Sequence, residues 1–184
     1  MTTTTSTTPG HTAAVPRGGG ARRTRRQNAE HGFAASKQLT DSLQKVLVDL
    51  IELHLQGKQA HWNVVGRNFR DLHLQLDEII EAAREFSDIV AERMRALHGM
   101  PDGRSDTVAA TTTLPAYPNG EILTTDTIDL ITERLEDVVS TIREVHDSVD
   151  DEDPTSADVL HQIIDKLEQF AWMVSAENRT PAKN

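Results

Sequence analysis

His73, Asp77, Asp88 and Glu92 are residues of types that bind metal ions, spaced within twenty positions of one another. At 100° per residue they fall at about 0°, 40°, 60° and 100° around a helix, so one face carries all four. A lone acid on a helix is usually solvated surface, and it is the relation among the four that carries weight. Asp77 and Asp88 are eleven residues apart, roughly 16 Å along a helix, too far for one ion to bind both. A second copy of the helix, laid antiparallel about a two-fold axis, changes this. The pairs His73/Glu92 and Asp77/Asp88 share one midpoint, so His73 and Asp77 of each copy meet Asp88 and Glu92 of the other, which creates two identical sites. His61 joins them if the chain turns near Gly66 and Arg67, because it then lies opposite His73. The set is two imidazoles and two carboxylates, with Asp77 as a bridging or supporting acid. Mixed nitrogen and oxygen donors without sulfur suit iron, manganese or zinc.

The elements that must position these groups are helices. Leu39, Leu43, Val46, Leu47, Leu50, Leu53 and Val64 recur at three- and four-residue steps and predict a first helix over about 36–65. Gly57 is tolerated inside it at about 1 kcal/mol. Gly66 and Asn68 mark a tight turn. A second helix is predicted over about 68–98, with Leu72, Leu76, Ile79, Ile80, Ala83, Val90, Met94 and Leu97 inward and Gly99 as the residue that stops it. Residues 99–124 hold Pro101, Pro115 and Pro118, and a connection this long implies a crossover along the bundle. A third helix is expected over about 125–149 and a fourth from Pro154, joined by a short acidic loop. No strand and no internal repeat is expected. The fold class is therefore all-α, an antiparallel four-helix bundle with a long connection between its second and third helices. Such bundles commonly host two-metal carboxylate centres.

The run His61-Trp62-Asn63-Val64-Val65-Gly66, followed by Asn68-Phe69, Leu72-His73, Asp77-Glu78, Asp88 and Ala91-Glu92-Arg93, closely resembles the Dps proteins, the miniature ferritins of starved bacteria. The resemblance covers about residues 36–178, includes Lys166-Leu167-Glu168-Gln169-Phe170-Ala171-Trp172, and is to an actinobacterial-like member with an extended N-terminal tail. It implies a ferritin-like bundle, a hollow shell of twelve subunits and a ferroxidase, with two irons at each inter-subunit site. It also implies oxidation of Fe²⁺ preferably by hydrogen peroxide, storage of the oxide inside, and protection of DNA. Residue by residue, His61, His73, Asp77, Asp88 and Glu92 match the family's ferroxidase ligands. Trp62 and Trp172 match tryptophans near that site, although large aromatics filling the bundle is an equal reading. In the acidic segment between the last two helices, Asp158 is the clearest match to a three-fold pore, with Asp150, Asp151 and Asp153 alongside. A solvated acidic turn is the alternative there. His54 is read as structural, and His31, His98, His146 and His161 have no carboxylate partner at a telling spacing.

Charge separates the chain into two parts. Arg17, Arg22, Arg23, Arg25 and Arg26 are the only charged residues of positions 1–29, which leaves 14 basic against 29 acidic residues in the rest of the 184-residue chain. Residues 1–35, rich in Thr, Gly and Arg, are expected to be a disordered arm, residues 36–178 the bundle, and residues 179–184 a short tail. The arginines could grip phosphates, and twelve copies on one shell would add avidity. The alternative is an arm that docks on a neighbouring subunit. Cysteine is absent, no run is long and apolar enough for a membrane span, and no signal sequence is apparent, so the cytoplasm is the default placement. Three rivals stand beside an iron-oxidising shell. These are a DNA-compacting protein whose metal serves assembly only, a ferritin of twenty-four subunits, and a zinc-bound inactive site. Against the second, the last two helices lack the Glu-x-x-His of a centre built within one bundle.

Overall fold

A computed structural model describes residues 1–2 and 32–181. The arginines Arg17, Arg22, Arg23, Arg25 and Arg26, and His31 beyond them, lie outside the described residues. From Ala34 onward the chain is one unit, and its helices begin where the sequence offers a cap. Ser36 accepts the backbone N–H of Leu39 at 3.1 Å and opens α1, Lys37–Asn63. The same serine donates its hydroxyl and backbone N–H to the Glu152 carboxylate, at 2.6 and 2.7 Å, which ties the start of α1 to the end of a distant helix.

α1 buries Leu39, Leu43, Val46, Leu47, Leu50 and Leu53, and each large side chain removed from water contributes about 1.5–3 kcal/mol. Gly57 has a positive role beyond tolerance: a Cβ there would stand 2.8 Å from the Ile80 side chain, so glycine permits the close approach of the next helix. After α1 come β1, Val64–Val65, and a turn in which Gly66 (φ 123°) and Asn68 (φ 63°) take left-handed conformations. They reverse the chain into α2, Phe69–Ala96.

α2 does not end on a left-handed Gly99. His98 takes that conformation (φ 64°), while the His98 N–H reaches Arg95 O at 3.1 Å and the Gly99 N–H reaches Met94 O at 2.8 Å. This is a Schellman ending with glycine one place later than expected. Gly99 still matters, because a Cβ there would press on Met94 O at 3.1 Å.

The crossover holds two elements that periodicity did not reveal: α3, Ser105–Thr111, and β2, Ile122–Leu123, which pairs in parallel with β1. A fully buried acid fastens this connection. Asp49 accepts hydrogen bonds from the Thr112 hydroxyl, the Thr113 N–H and hydroxyl, and the Thr141 hydroxyl, at 2.6–3.0 Å. Four donors satisfy a carboxylate whose burial would otherwise be costly.

α4 spans Thr124–Glu152 and α5 spans Pro154–Ala176. The expected acidic loop is therefore mostly helix: Asp150, Asp151 and Glu152 form the last turn of α4, and Asp153 alone joins the two helices. Pro154 excludes helical backbone at the residue before it, and Asp153 is extended accordingly (φ −145°, ψ 87°). The four long helices enclose one continuous core, with α1 against α2 and α4 against α5. No helix among the described residues is long and apolar enough to cross a membrane.

Candidate metal centre

His61 lies in the last turn of α1, and His73 and Asp77 are one turn apart on α2. The Gly66–Asn68 reversal brings the three together. The two imidazole rings stack with centroids 3.6 Å apart and planes at 27°. His61 Nε2 is 2.9 Å from Asp77 Oδ2. One donor atom from each of the three lies within 4.8 Å of the others, and among the described residues this is the one group of three or more such side chains to do so.

The hydrogen bonds set which nitrogens are free. His73 Nδ1 is 3.1 Å from the backbone oxygen of His61. A carbonyl can only accept, so Nδ1 carries the proton and Nε2 keeps its lone pair for a metal. Between His61 Nε2 and the Asp77 carboxylate a proton bridges two groups that both bind cations. His61 Nδ1 is buried and has no partner. The donor set, two nitrogens and a carboxylate with partial access to water, fits a divalent transition ion.

Lys58 was not singled out from the sequence, although its Lys-x-x-His spacing to His61 puts both on one helix face. Its ammonium stands 2.8 Å from Asp77 Oδ1. That hydrogen bond is the main reason the Asp77 carboxyl lies below its ordinary range, with burial opposing and His61 adding to the effect.

Asp88 and Glu92 lie further along the same α2 face and are exposed. Asp88 lines an open groove with Leu47, Ile51, Glu81, Arg84 and Glu85. The chain by itself thus gathers three of the five expected ligands and leaves the other two on an open helix surface. Trp62 and Trp172 are 70% and 63% exposed, so neither fills the core of its own bundle. Trp172 borders a groove with Leu74, Glu78 and Met173.

The acidic segment divides. Asp150, Asp151 and Asp158 are exposed. Asp153 is buried: it accepts from the Ser156 N–H and hydroxyl at the start of α5 and pairs with Arg93 at 2.6 Å. Burial raises its carboxyl, but the Ser156 and Arg93 contacts outweigh that and hold it below the ordinary range. Its charge is committed to joining α5 to α2, unlike the three open acids. Ser156 carried no signal in the sequence, and Arg93 stood there only within the family-like run Ala91-Glu92-Arg93.

A family model described as a ferritin-like domain matches residues 40–180. The chain is 35% identical over 76% of its length to DNA protection during starvation protein 2 of Deinococcus radiodurans, of which it spans 58%. It is 35% identical over 73% of its length to the DNA protection during starvation protein of Agrobacterium fabrum, covering 83% of that protein. The chain belongs to the Dps family. Among solved Dps structures, that of Mycobacterium smegmatis superimposes with a TM-score of 0.77 at 29% identity, over 82% of this chain and 94% of the other. The Dps bundle expected from the sequence is thus the one observed, with its long connection between α2 and α4.

Proposed function

We propose that this chain is a ferroxidase and iron-storage subunit of a hollow twelve-subunit Dps shell, which oxidises Fe²⁺ with hydrogen peroxide and shields DNA from the radical chemistry of free iron. The observation that carries the reading is the convergence of His61, His73 and Asp77, with Asp88 and Glu92 exposed further along the same helix face. In the proposed site, Asp88 and Glu92 come from a two-fold partner, and two Fe²⁺ are bound as substrate.

His73 is held in one tautomer by the His61 carbonyl and offers Nε2. Asp77 exchanges the Lys58 ammonium and the His61 proton for Fe²⁺. Carboxylates favour the ferric product, since hard oxygen donors suit the higher charge. Each of two Fe²⁺ gives up one electron, the O–O bond of peroxide breaks, and two hydroxides form, so no one-electron radical is released. In the shell, Asp150, Asp151 and Asp158 line or flank a cation entrance. Asp153 is left out of that set by its pairing with Arg93. The N-terminal arginines contact DNA phosphates, and the protein works in the cytoplasm, beside the nucleoid if DNA is bound.

The test is anaerobic loading with Fe²⁺ followed by measured additions of peroxide, with a spin trap present. About two Fe²⁺ oxidised per peroxide and little trapped radical are expected, and Asp88→Asn should suppress the reaction while the shell still assembles. One Fe²⁺ per peroxide with rising radical adducts would refute the paired site. Collapse of the Asp88→Asn shell would favour a metal that serves assembly only.

A further inference from the structure

His146 on α4 and His161 on α5 meet across the last two helices, with ring centroids 4.6 Å apart and Nε2 atoms only 2.7 Å apart. The other nitrogen of each ring faces a carboxylate. His146 Nδ1 is 3.2 Å from Asp147 Oδ1, and His161 Nδ1 is 4.0 Å from Asp158 Oδ1. A proton on Nδ1, which Asp147 holds for His146 while Asp158 stands beyond hydrogen-bond reach of His161, turns the lone pair of Nε2 outward, the arrangement seen around imidazoles that bind metals. Two such lone pairs at 2.7 Å repel unless a proton or a cation lies between them.

We propose that His146 and His161 form a second divalent-metal site, separate from the His61 centre, that takes a late transition ion such as Cu²⁺ or Ni²⁺ through both Nε2 atoms. The geometry selects this class. With metal–nitrogen bonds of about 2.0–2.1 Å, two ligands at right angles stand about 2.9 Å apart and two tetrahedral ligands about 3.4 Å apart. The observed 2.7 Å lies beside the right-angled value, which square or octahedral ions prefer. Access is open on one side: the His161 side chain is 59% exposed and that of His146 21%. Among the described residues no third histidine or carboxylate joins the pair at ligand distance, so water supplies the remaining donors. The acids Asp147, Asp150, Asp151 and Asp158 also raise the local concentration of dications.

The site uses none of the five ligands of the proposed iron centre, although Asp158 beside His161 also belongs to the proposed cation entrance, so copper binding at the two imidazoles is read apart from the ferroxidase reaction. The assembled full-length protein, His146→Gln and His161→Gln are titrated with Cu²⁺ and followed by calorimetry and electron paramagnetic resonance. Glutamine keeps a hydrogen-bonding side chain at the position but removes the imidazole donor, and melting curves check that the fold is retained. Each variant should lose one Cu²⁺ equivalent per chain, or bind it at least tenfold more weakly. Each should also lose a signal component split by two nitrogens. Unchanged copper uptake in both variants overturns the proposal. A lowered melting temperature with copper uptake intact does the same, because the pair would then be joined by a proton only.

Discussion

His73 donates its Nδ1 proton to the backbone oxygen of His61, 3.1 Å away, so one candidate ligand is oriented by the main chain of another. The contact spans the α1–α2 reversal and couples the turn to the metal chemistry. Anything that moves the end of α1 rotates the His73 ring as well.

Lys58 acts on the same centre through charge. In Lys58→Met the Asp77 carboxyl should return toward its ordinary value near 3.8, and an incoming dication no longer has to displace an ammonium. The ion pair is nearly half exposed, so it is worth at most about 1 kcal/mol, and binding of redox-silent Co²⁺ should tighten about twofold to fivefold. Weaker or unchanged cobalt binding would show that Lys58 instead holds Asp77 in its productive position.

Asp153→Ala removes a helix cap and leaves Arg93 without its acid, which together should cost about 1–3 kcal/mol and lower the melting temperature by several degrees. The sign of the pH effect follows from the depressed carboxyl. Its stabilisation is fully present above the ordinary aspartate value near 3.8 and is lost as pH falls through the lower folded value. The wild-type advantage over Asp153→Ala should therefore shrink in acid. An advantage that grows on acidification contradicts this account.

The shared site makes a mixing prediction. One variant carries His73→Ala with Asp77→Ala, the other Asp88→Ala with Glu92→Ala, and each should be inactive as a pure shell. Dissociated, mixed equally and reassembled, about half the dimers are mixed and one of their two sites is whole, so about a quarter of wild-type oxidation should return. No recovery, with mixed dimers confirmed by mass, would mean that each chain builds its own centre.

Deleting residues 1–29 should leave iron oxidation unchanged and abolish retardation of DNA, because that segment holds five arginines and no acid. Retardation by the full-length shell should weaken steeply with salt, since each phosphate contact releases a counterion. A full-length shell that fails to shift DNA at low salt removes phosphate binding from the arm's roles.

Helix positions, the His73–Asp77 spacing and the Gly66–Asn68 reversal were legible because each is local: apolar periodicity, one-turn spacing and left-handed turn residues are written within a few positions of each other. The convergence of His61 on His73 needed only that reversal between two neighbouring helices. The helix ends were less legible. Which of His98 and Gly99 takes the left-handed position depends on the hydrogen bonds to Met94 and Arg95, and the Glu152 carboxylate that closes α4 is held by Ser36 at the start of α1. The remaining facts belonged to tertiary structure alone. Asp49 finds donors 63 to 92 residues away, and Asp153 is withdrawn from its open acidic neighbours by Arg93, 60 residues earlier. His146 and His161 become a pair only through the register of α4 against α5. Spacing along one helix says nothing of which residues a second helix will place opposite, because that register is decided by packing over the whole length of both.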